Sequence, residues 1–292
     1  QRYLAQLPDG TIAGIGHFFS VNWLPEPGTY WTIVRVRPDV QRRGIGTALL
    51  QHMQAELAAL GAHTMWLMVP EEAEQLLPVF ERRGFRECMR TNPFVLDVAA
   101  CPPLDLDSRL AKLGSEHGLR VSTLRECMAE DADWLDKVYA LHAAVTREVP
   151  LPEKIFITRE EFAEFAVQSP QALFDAFFVV RDGDAYVGLS FMQCNDETPD
   201  TLYQELTGNL PAYRGKGLAR ILKLLTIDYA LRHGYQKIVT WMENNNAGML
   251  AINLSYGFVR ETGLVLLERP VSTSLQLPVG SWQQFTAESL SI

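Results

Sequence analysis

Apolar positions along the first hundred residues switch between a two-residue and a three-to-four-residue rhythm, and each switch marks an element. Arg2 to Leu7 and Thr11 to Phe19 read as strands flanking Pro8-Asp9-Gly10, a strong hairpin signal. Trp31 to Val36 reads as a buried strand ended by Pro38. Ile45, Leu49, Leu50, Met53, Leu57 and Leu60 then recur at helical spacing, with Gly61 as the stop. Met65 to Val69 predicts a further strand, Glu71 to Arg83 a second helix, and Phe85 to Val98 two short strands around Asn92-Pro93.

The same order returns later. Arg120 to Leu124 predicts a strand, Glu130 to Thr146 and Glu160 to Val167 predict helices, and Asp182-Gly183 marks a hairpin turn. From Tyr203 to Phe258 the chain then repeats the succession of Thr32 to Phe85: apolar strand, glycine-rich turn, long amphipathic helix, strand, helix, Gly-Phe. Gly44 and Gly215 read as equivalent points in the two copies. A repeat this long implies two domains rather than a solenoid. The expected division is an N-terminal domain over 1–100, a linker over 101–117 containing Cys101-Pro102-Pro103, a C-terminal domain over 118–270, and a tail over 271–292 with Pro278 and Gly280.

Composition narrows the function. The 292 residues are 47% hydrophobic, enough for two cores of ordinary size. A formal net charge of -9 argues against nucleic acid as a partner, since a phosphate-tracking surface carries a basic excess. Cys88, Cys101, Cys127 and Cys194 are too scattered for a zinc site, so no metal is expected and reduced thiols are. No run reaches the roughly 18 apolar residues of a membrane span, and no basic-then-apolar leader opens the chain, so a cytoplasmic protein with no membrane partner is expected.

The chemistry concentrates at the repeated turns, Gln41-Arg42-Arg43-Gly44-Ile45-Gly46 and Ala212-Tyr213-Arg214-Gly215-Lys216-Gly217. Each follows a strand and opens a helix, where free N–H groups and the positive helix end attract anions. The basic neighbours Arg42, Arg43, Arg214 and Lys216 suit a diphosphate. A dinucleotide fold requires a third glycine where Leu49 and Arg220 stand, and a Walker loop requires Ser or Thr after its lysine, where Gly217 stands.

These features resemble the GNAT N-acetyltransferase superfamily, whose signature is Gln/Arg-x-x-Gly-x-Gly/Ala at the start of the central helix. Val34 to Pro38 leading into Gln41 to Leu50 is similar to it throughout; the second copy is similar with Ala212 in the Gln/Arg place. Thr240 to Phe258, with Asn246, Asn253 and Gly257-Phe258, resembles tandem members of mycothiol-synthase-like architecture. The resemblance implies an α/β fold: two tandem GNAT-like domains, each a mixed, splayed central sheet flanked by helices. It also implies acetyl-CoA (coenzyme A) as cosubstrate. The pantetheine arm would meet the backbone of Val34 and Val36, and of Leu206 and Thr207. The diphosphate would meet Gln41, Arg42, Arg43, Gly44, Ile45, Gly46 and Thr47 in one copy, and Tyr213, Arg214, Gly215, Lys216, Gly217, Leu218 and Ala219 in the other, with Asn246 as a further contact. Exposed backbone donors of the strand would stabilise negative charge at the acyl carbonyl.

The copies differ. At the family's cofactor-contacting Asn the first holds Ala73, and at the Tyr that protonates the departing thiolate in many relatives the copies hold Phe80 and Asn253. The first also opens on Gln1 without the usual first strand and two helices. The C-terminal domain is therefore the expected catalyst, with the N-terminal domain cofactor-binding or structural. Glu205, in the strand before the turn, is the candidate base, and Tyr256 the nearest phenol for the acid. Asp200 and Glu197 precede the same strand and read equally as solvated loop charges. Glu148, Glu153, Glu160, Glu161 and Glu164 fall where the acceptor pocket would be covered, and Trp134, Phe162, Phe165 and Trp241 could wall it; both groups read equally as ordinary helix and core residues. His142 and His233 read as structural. The expected activity is acetyl transfer to a primary amine of a small molecule or peptide, by a monomer or homodimer. The alternative is a non-catalytic acyl-CoA-binding sensor or scaffold.

Overall fold

The computed structural model describes residues 1–20, 28–151, 157–271 and 285–287, for the last of which only the backbone is considered. The chain divides into two compact units, Gln1–Arg90 with Leu264–Ile292, and Thr91–Gly263.

In the first unit, β1 (Arg2–Gln6) and β2 (Ile12–Ser20) form the expected hairpin, and β3 (Thr29–Val36) pairs antiparallel with β2. Helix α1 (Ile45–Ala59) crosses to β4 (Thr64–Pro70), which lies parallel to β3. A short α2 (Leu77–Glu81) then leads into β5 (Arg86–Asp97). The core is the apolar face of α1, with Leu49, Met53 and Leu57 at 0% exposure, against Phe18, Met65, Val69 and Phe85. Close approach of α1 requires glycine beneath it: a Cβ on Gly16 would stand 3.1 Å from Met53 Sδ and 3.2 Å from Leu49 Cδ2.

The second unit takes in α3 (Leu106–His117), β6 (Arg120–Thr123), α4 (Leu124–Glu130), α5 (Trp134–Thr146), α6 (Arg159–Ala163), β7 (Ala172–Asp182), β8 (Ala185–Gln193), β9 (Thr201–Asn209), α7 (Leu218–Arg232), β10 (Lys237–Glu243), α8 (Ala247–Ser255) and β11 (Val259–Arg260). Alternate residues of β7 serve two cores, which is why its middle, Ala176 to Val180, is continuously apolar. Phe177 and Val179 pack with α4, α5 and α6, whereas Phe178 and Val180 pack with α3 and α7. Helices α4 to α6 have no counterpart among the described residues of the first unit.

Each sheet is completed by a strand distant in sequence. The remaining strands, β12 (Leu264–Pro270) and β13 (Phe285–Ala287), belong to the first unit, where β12 pairs antiparallel with β4 and β13 with β1. Thr91–Asp97 of β5 pairs antiparallel with β10 in the second. The units thus divide differently from the expected boundary near residue 118. The expected linker holds α3, whose Leu106 and Leu113 are buried in second-unit cores. The two short strands expected at 85–98 are one, because Pro93 stands within β5 opposite Trp241 without breaking it. The helix expected over 71–83 breaks at Ala73, which has non-helical angles (φ −108°, ψ 22°). Glu153, and Pro278 and Gly280 of the tail, lie outside the described residues. Among the described residues no helix is long and apolar enough to cross a membrane, no cluster of side chains is placed to hold a metal ion, and all four cysteines are free thiols.

Because Val265, Leu266 and Leu267 are at most 1% exposed, β12 is core, not appendage. Leu267→Ala is expected to lower the unfolding free energy of the first unit by about 2–5 kcal/mol. Ending the chain at Gly263 is expected to abolish hydrogen-exchange protection in β3 and β4 while leaving it in β8 and β9. Equal protection in β4 with and without β12 would show that the strand is dispensable.

Candidate active site

Both sheets open at the same place. In the second unit β9 and β10 run parallel from Thr201/Lys237 to Gln204/Thr240, where their pairing ends. Beyond it β9 stays on β8 as far as Asn209, and β10 stays on β5 as far as Glu243. In the first unit the parallel pairing of β3 with β4 ends at Thr32/Leu67, and the two strands then follow β2 and β12. A wedge between neighbouring strands results in each, with backbone groups on its walls that no strand partner satisfies.

The units differ at the root of the wedge. Between β8 and β9 the register steps from Ser190↔Thr207 to Met192↔Gln204, so β9 carries one residue more than β8 across that interval. This is a β-bulge at Glu205–Leu206, which leaves backbone unpaired and re-aims the side chains beyond it. Gln204 and Thr207, which simple alternation would set on opposite faces, therefore lie on one face and are hydrogen-bonded to each other. The β2–β3 ladder of the first unit has no such step.

Past the wedge both chains make a one-turn 3₁₀ segment, Pro38–Val40 or Pro211–Tyr213, and then enter a 15-residue helix. This sets the correspondence between copies. Gly44 caps α1 in the left-handed conformation (φ 86°), and Gly217, not Gly215, caps α7 (φ 77°). Gly215 (φ 79°) answers instead to Arg42 (φ 62°). Aligning Gly44 with Gly215 is thus displaced by one turn residue pair. In the corrected register Arg214-Gly215-Lys216-Gly217-Leu218-Ala219 fills the whole Gln/Arg-x-x-Gly-x-Gly/Ala pattern, Arg214 answers to Gln41, and no substitution at Ala212 has to be explained. The Leu206 side chain packs into the α5-side core, which leaves its backbone free for the expected strand contact, and Asn209 stands where Val36 does.

A cleft of about 610 Å³ lies over this helix start in the second unit. Its floor is Thr207, Gly208 and Asn209 of β9; its walls include Tyr213 to Gly215, Gly217 to Arg220, Asn246, Met249 and Val145 of α5. The N–H groups of Leu218 and Ala219 have no acceptor within their helix. Ideal Cβ positions at Gly215 and Gly217 meet nothing within 4 Å, so the approach to those amides is open. Arg214 reaches across the mouth to Glu148 at 2.6 Å, and the Lys216 ammonium stands 4.8 Å from the Tyr213 ring centre. A diphosphate fits such a cradle, with amides to receive it and two cations whose present partners are solvent-exposed.

Residues 2–85 and 138–258 match the profile of the acetyltransferase (GNAT) family. The chain belongs to the GNAT acetyltransferase family. Members of the family generally use acetyl-CoA as the acyl donor. The chain is 25% identical to a mycothiol acetyltransferase of Geodermatophilus obscurus over 88% of its own length and 78% of that protein's. It is 29% identical to a mycothiol acetyltransferase of Amycolatopsis mediterranei over 30% of its own length and 31% of the relative's. Over 54 residues it is 41% identical to the Escherichia coli [ribosomal protein bS18]-alanine N-acetyltransferase, 18% of this chain and 36% of that one. The fold is also that of a GCN5-related N-acetyltransferase from Sphaerobacter thermophilus, with TM-score 0.67, 16% identity and coverage of 95% and 82% of the two chains. A tandem GNAT protein from the clavulanic acid biosynthesis pathway superposes with TM-score 0.58, at 18% identity and coverage of 92% and 82%.

Two carboxylates lie beyond the point where β9 and β10 part, Glu205 on the first strand and Glu243 on the second, and neither lines the cleft. Glu205 sits on the bulge with its side chain open to solvent, and the protein packed around its carboxyl raises it above the usual range. Glu243, three residues past the last β10 pair with β9, is raised for the same reason; nothing in the sequence singled it out. Asn246 lines the cleft and caps α8, its Oδ1 accepting from Met249 N–H at 3.2 Å. Tyr256 does not line the cleft, and its hydroxyl is turned to the Arg220 carbonyl at 3.4 Å. Asn253 is fully buried, with Nδ2 on Met242 Sδ and Oδ1 unpartnered.

Other candidates fall away from the wedge. Phe162 is core, His142 packs on Phe162 and Phe191 with burial lowering it to about 4, and His233 ends α7 stacked on Tyr229. Trp241 and Phe165 are exposed, and Trp134 packs at the edge of the α5-side core. Glu161 is occupied as a helix capping residue with Thr158. Glu161, Glu164 and Phe165 border a separate shallow recess with Gln171 and Gln193.

Sequence reasoning also missed Lys223. It lies at 1% exposure in α7, donates to Gln204 Oε1, and stands 4.9 Å from the Phe258 ring centre. With no carboxylate beside it, burial lowers its ammonium from about 10.5 to about 7. The unfolded chain therefore binds this proton up to the higher value and the folded chain only up to the lower. Between the two, unfolding takes up a proton and stability rises with pH; below about 7 both states are protonated and the full penalty applies. Thermal unfolding is expected to show wild type gaining on Lys223→Met as pH rises through that window. Parallel profiles would mean that Lys223 is not desolvated.

Proposed function

We propose that the chain is an acetyl-CoA-dependent N-acetyltransferase acting on a primary amine of a small molecule or peptide, with the second unit catalytic. The observation that carries this reading is the bulged strand at the root of an open wedge, joined to a cleft over a glycine-capped helix start. The diphosphate of the cosubstrate lies on the amides of Leu218 and Ala219, with Arg214 and Lys216 as counter-charges. The pantetheine arm enters along Thr207 to Asn209, and the acyl carbonyl meets the backbone freed by the bulge. Glu205, and Glu243 of β10, take the amine proton directly or through water; a carboxylate raised above its usual range is a stronger base than an unshifted one.

The first unit has the cradle of Gln41 to Thr47 without the bulge, and carries Phe80 where a proton donor would stand. It binds cofactor or serves structure. Val34 and Val36 flank its helix start, their methyl groups 3.8 and 3.4 Å from an ideal Cβ on Gly46. The two kinds of relative, one named for mycothiol and one for a ribosomal protein's alanine, support an amine acceptor without choosing between small molecule and peptide. Four free thiols and a coenzyme A substrate fit a cytoplasmic enzyme. A non-catalytic acyl-CoA sensor is favoured if coenzyme A binds tightly and no amine in a broad panel is acetylated.

Gly217→Asp sets a carboxylate at the helix start in a left-handed position (φ 77°). It is expected to weaken coenzyme A binding by the second unit more than about tenfold; unchanged calorimetric affinity would refute the cradle. Glu205→Gln is expected to lower the transfer rate at neutral pH by about tenfold or more with little change in coenzyme A affinity. The acidic limb of the wild-type rate profile should lie above the ordinary carboxylate value of 4.5. A limb that survives in the variant removes Glu205 from the mechanism.

A further inference from the structure

The second unit hides a polar network where its sister has hydrocarbon. Gln204 turns its amide oxygen to the Lys223 ammonium and sets its amide nitrogen 2.9 Å from Ser190 Oγ and 2.9 Å from Thr207 Oγ1. Thr226 Oγ1 lies 3.3 Å from the same nitrogen and donates to the Lys223 carbonyl. Ser190, Gln204, Lys223 and Thr226 are all at most 4% exposed. In the first unit, at the same helical positions, Lys223 and Thr226 are replaced by Leu50 and Met53, at 4% and 0% exposure. On the strands Val34 and its partner Gly16 stand for Thr207 and its partner Ser190. Gln204 itself answers to Thr32, buried at 1% with its hydroxyl on the Trp66 carbonyl. The same fold therefore packs in this very chain without the lysine and the hydroxyls around it, so the fold alone does not account for a buried lysine with no counter-ion among the described residues.

The network's donors and acceptors have one consequence at the cleft. Because Lys223 occupies the amide oxygen, the Gln204 nitrogen can only donate, and its two N–H groups serve the nearer hydroxyls of Ser190 and Thr207, which accept, with Thr226 farther off at 3.3 Å. Ser190 Oγ and Thr207 Oγ1 are 2.7 Å apart, so one donates to the other and one hydroxyl proton is left over. Ser190 is wholly buried, whereas Thr207 lines the cleft. The surplus proton is satisfied when it belongs to Thr207 and faces the cleft. The positions that would otherwise supply a donor do not: Asn253 faces Met242 in the core, and the Tyr256 hydroxyl faces a backbone carbonyl.

We propose that the Thr207 hydroxyl is the hydrogen-bond donor to the thioester sulfur in the second unit, and that Lys223, through Gln204, is the positioning residue that turns this hydroxyl to the cleft. The inference rests on the acyl-transfer reading above. In that step the amine lone pair forms the C–N bond and the C–S pair withdraws onto sulfur. Thr207 Oγ1–H stabilises the thiolate by a hydrogen bond, the amine's surplus proton passes to Glu205 and solvent, and the thiolate is protonated from solvent.

The test needs no acceptor. Coenzyme A is bound to the protein and its thiol titrated by the ultraviolet absorbance of the thiolate, with affinity measured in parallel by calorimetry. In wild type the thiol at the second-unit site should titrate about one unit or more below a free thiol near 8.5. Thr207→Val should return it to the free value, and Thr207→Ser should restore the shift. Lys223→Met should also raise it, and adding Lys223→Met to Thr207→Val should change nothing further, since both act through one hydroxyl. A wild-type thiol titrating at or above the free value, a Thr207→Val protein that keeps the shift, or additive effects would each overturn the inference while leaving acyl transfer standing. No binding of coenzyme A to wild type would overturn both.

Discussion

One extra residue in β9 is the constraint on which the chemistry proposed for the second unit depends. Parallel strands hold together by evenly spaced hydrogen bonds, and β9 and β10 give up theirs after Gln204/Thr240. Without compensation the next residues of β9 would continue the alternation of the buried segment. The bulge at Glu205–Leu206 resets that alternation where the pairing ends. It sends Leu206 to the α5 core and returns Thr207 to the face of α7 that Gln204 already occupies, with the solvent-exposed Glu205 on the extra residue between them and Gln204.

The two units provide an internal comparison of what the fold needs and what the site adds. Both have the wedge, the one-turn 3₁₀ segment and a glycine in the left-handed conformation at the helix start. These are backbone features, and the first unit keeps them with Val34, Leu50 and Met53 around them. Anion binding at a helix start draws on the same backbone, so this geometry persists in the first unit although Leu50 and Met53 replace Lys223 and Thr226 beneath it. What the first unit lacks is the bulge and the polar network together.

Much of this was legible in the sequence, and the failures have physical reasons. The repeat, the strand–turn–helix units and the family follow from patterns local to a few turns of chain. The correspondence of Gly44 with Gly217 was not, because Arg42 adopts a left-handed conformation that sequence rules reserve for glycine, and so hides the fact that Gly215 and Arg42 hold one place. The unit boundary was misplaced because β12 and Thr91–Asp97 have ordinary strand patterns, and nothing in a pattern tells which sheet a strand will join. The bulge is a register step between two strands, invisible in either alone. Glu243 and Lys223 stood in regular elements as one charge among apolar neighbours, which ordinarily marks a solvent-facing position.

Lys223 also decides how the site trades stability against chemistry. An ammonium buried beside amide and hydroxyl groups alone is a destabilising choice wherever leucine would fit, and in the first unit leucine does fit. Such a residue persists when it orients something that must not turn. Gln204 is that group, since an amide has two nearly isosteric ends and would otherwise present oxygen or nitrogen to Ser190 and Thr207 with similar ease. The ammonium removes the ambiguity because it can only donate. A neutral amine both donates and accepts, so the restriction holds while the lysine is charged, a state that the contact of its ammonium with the Phe258 ring favours.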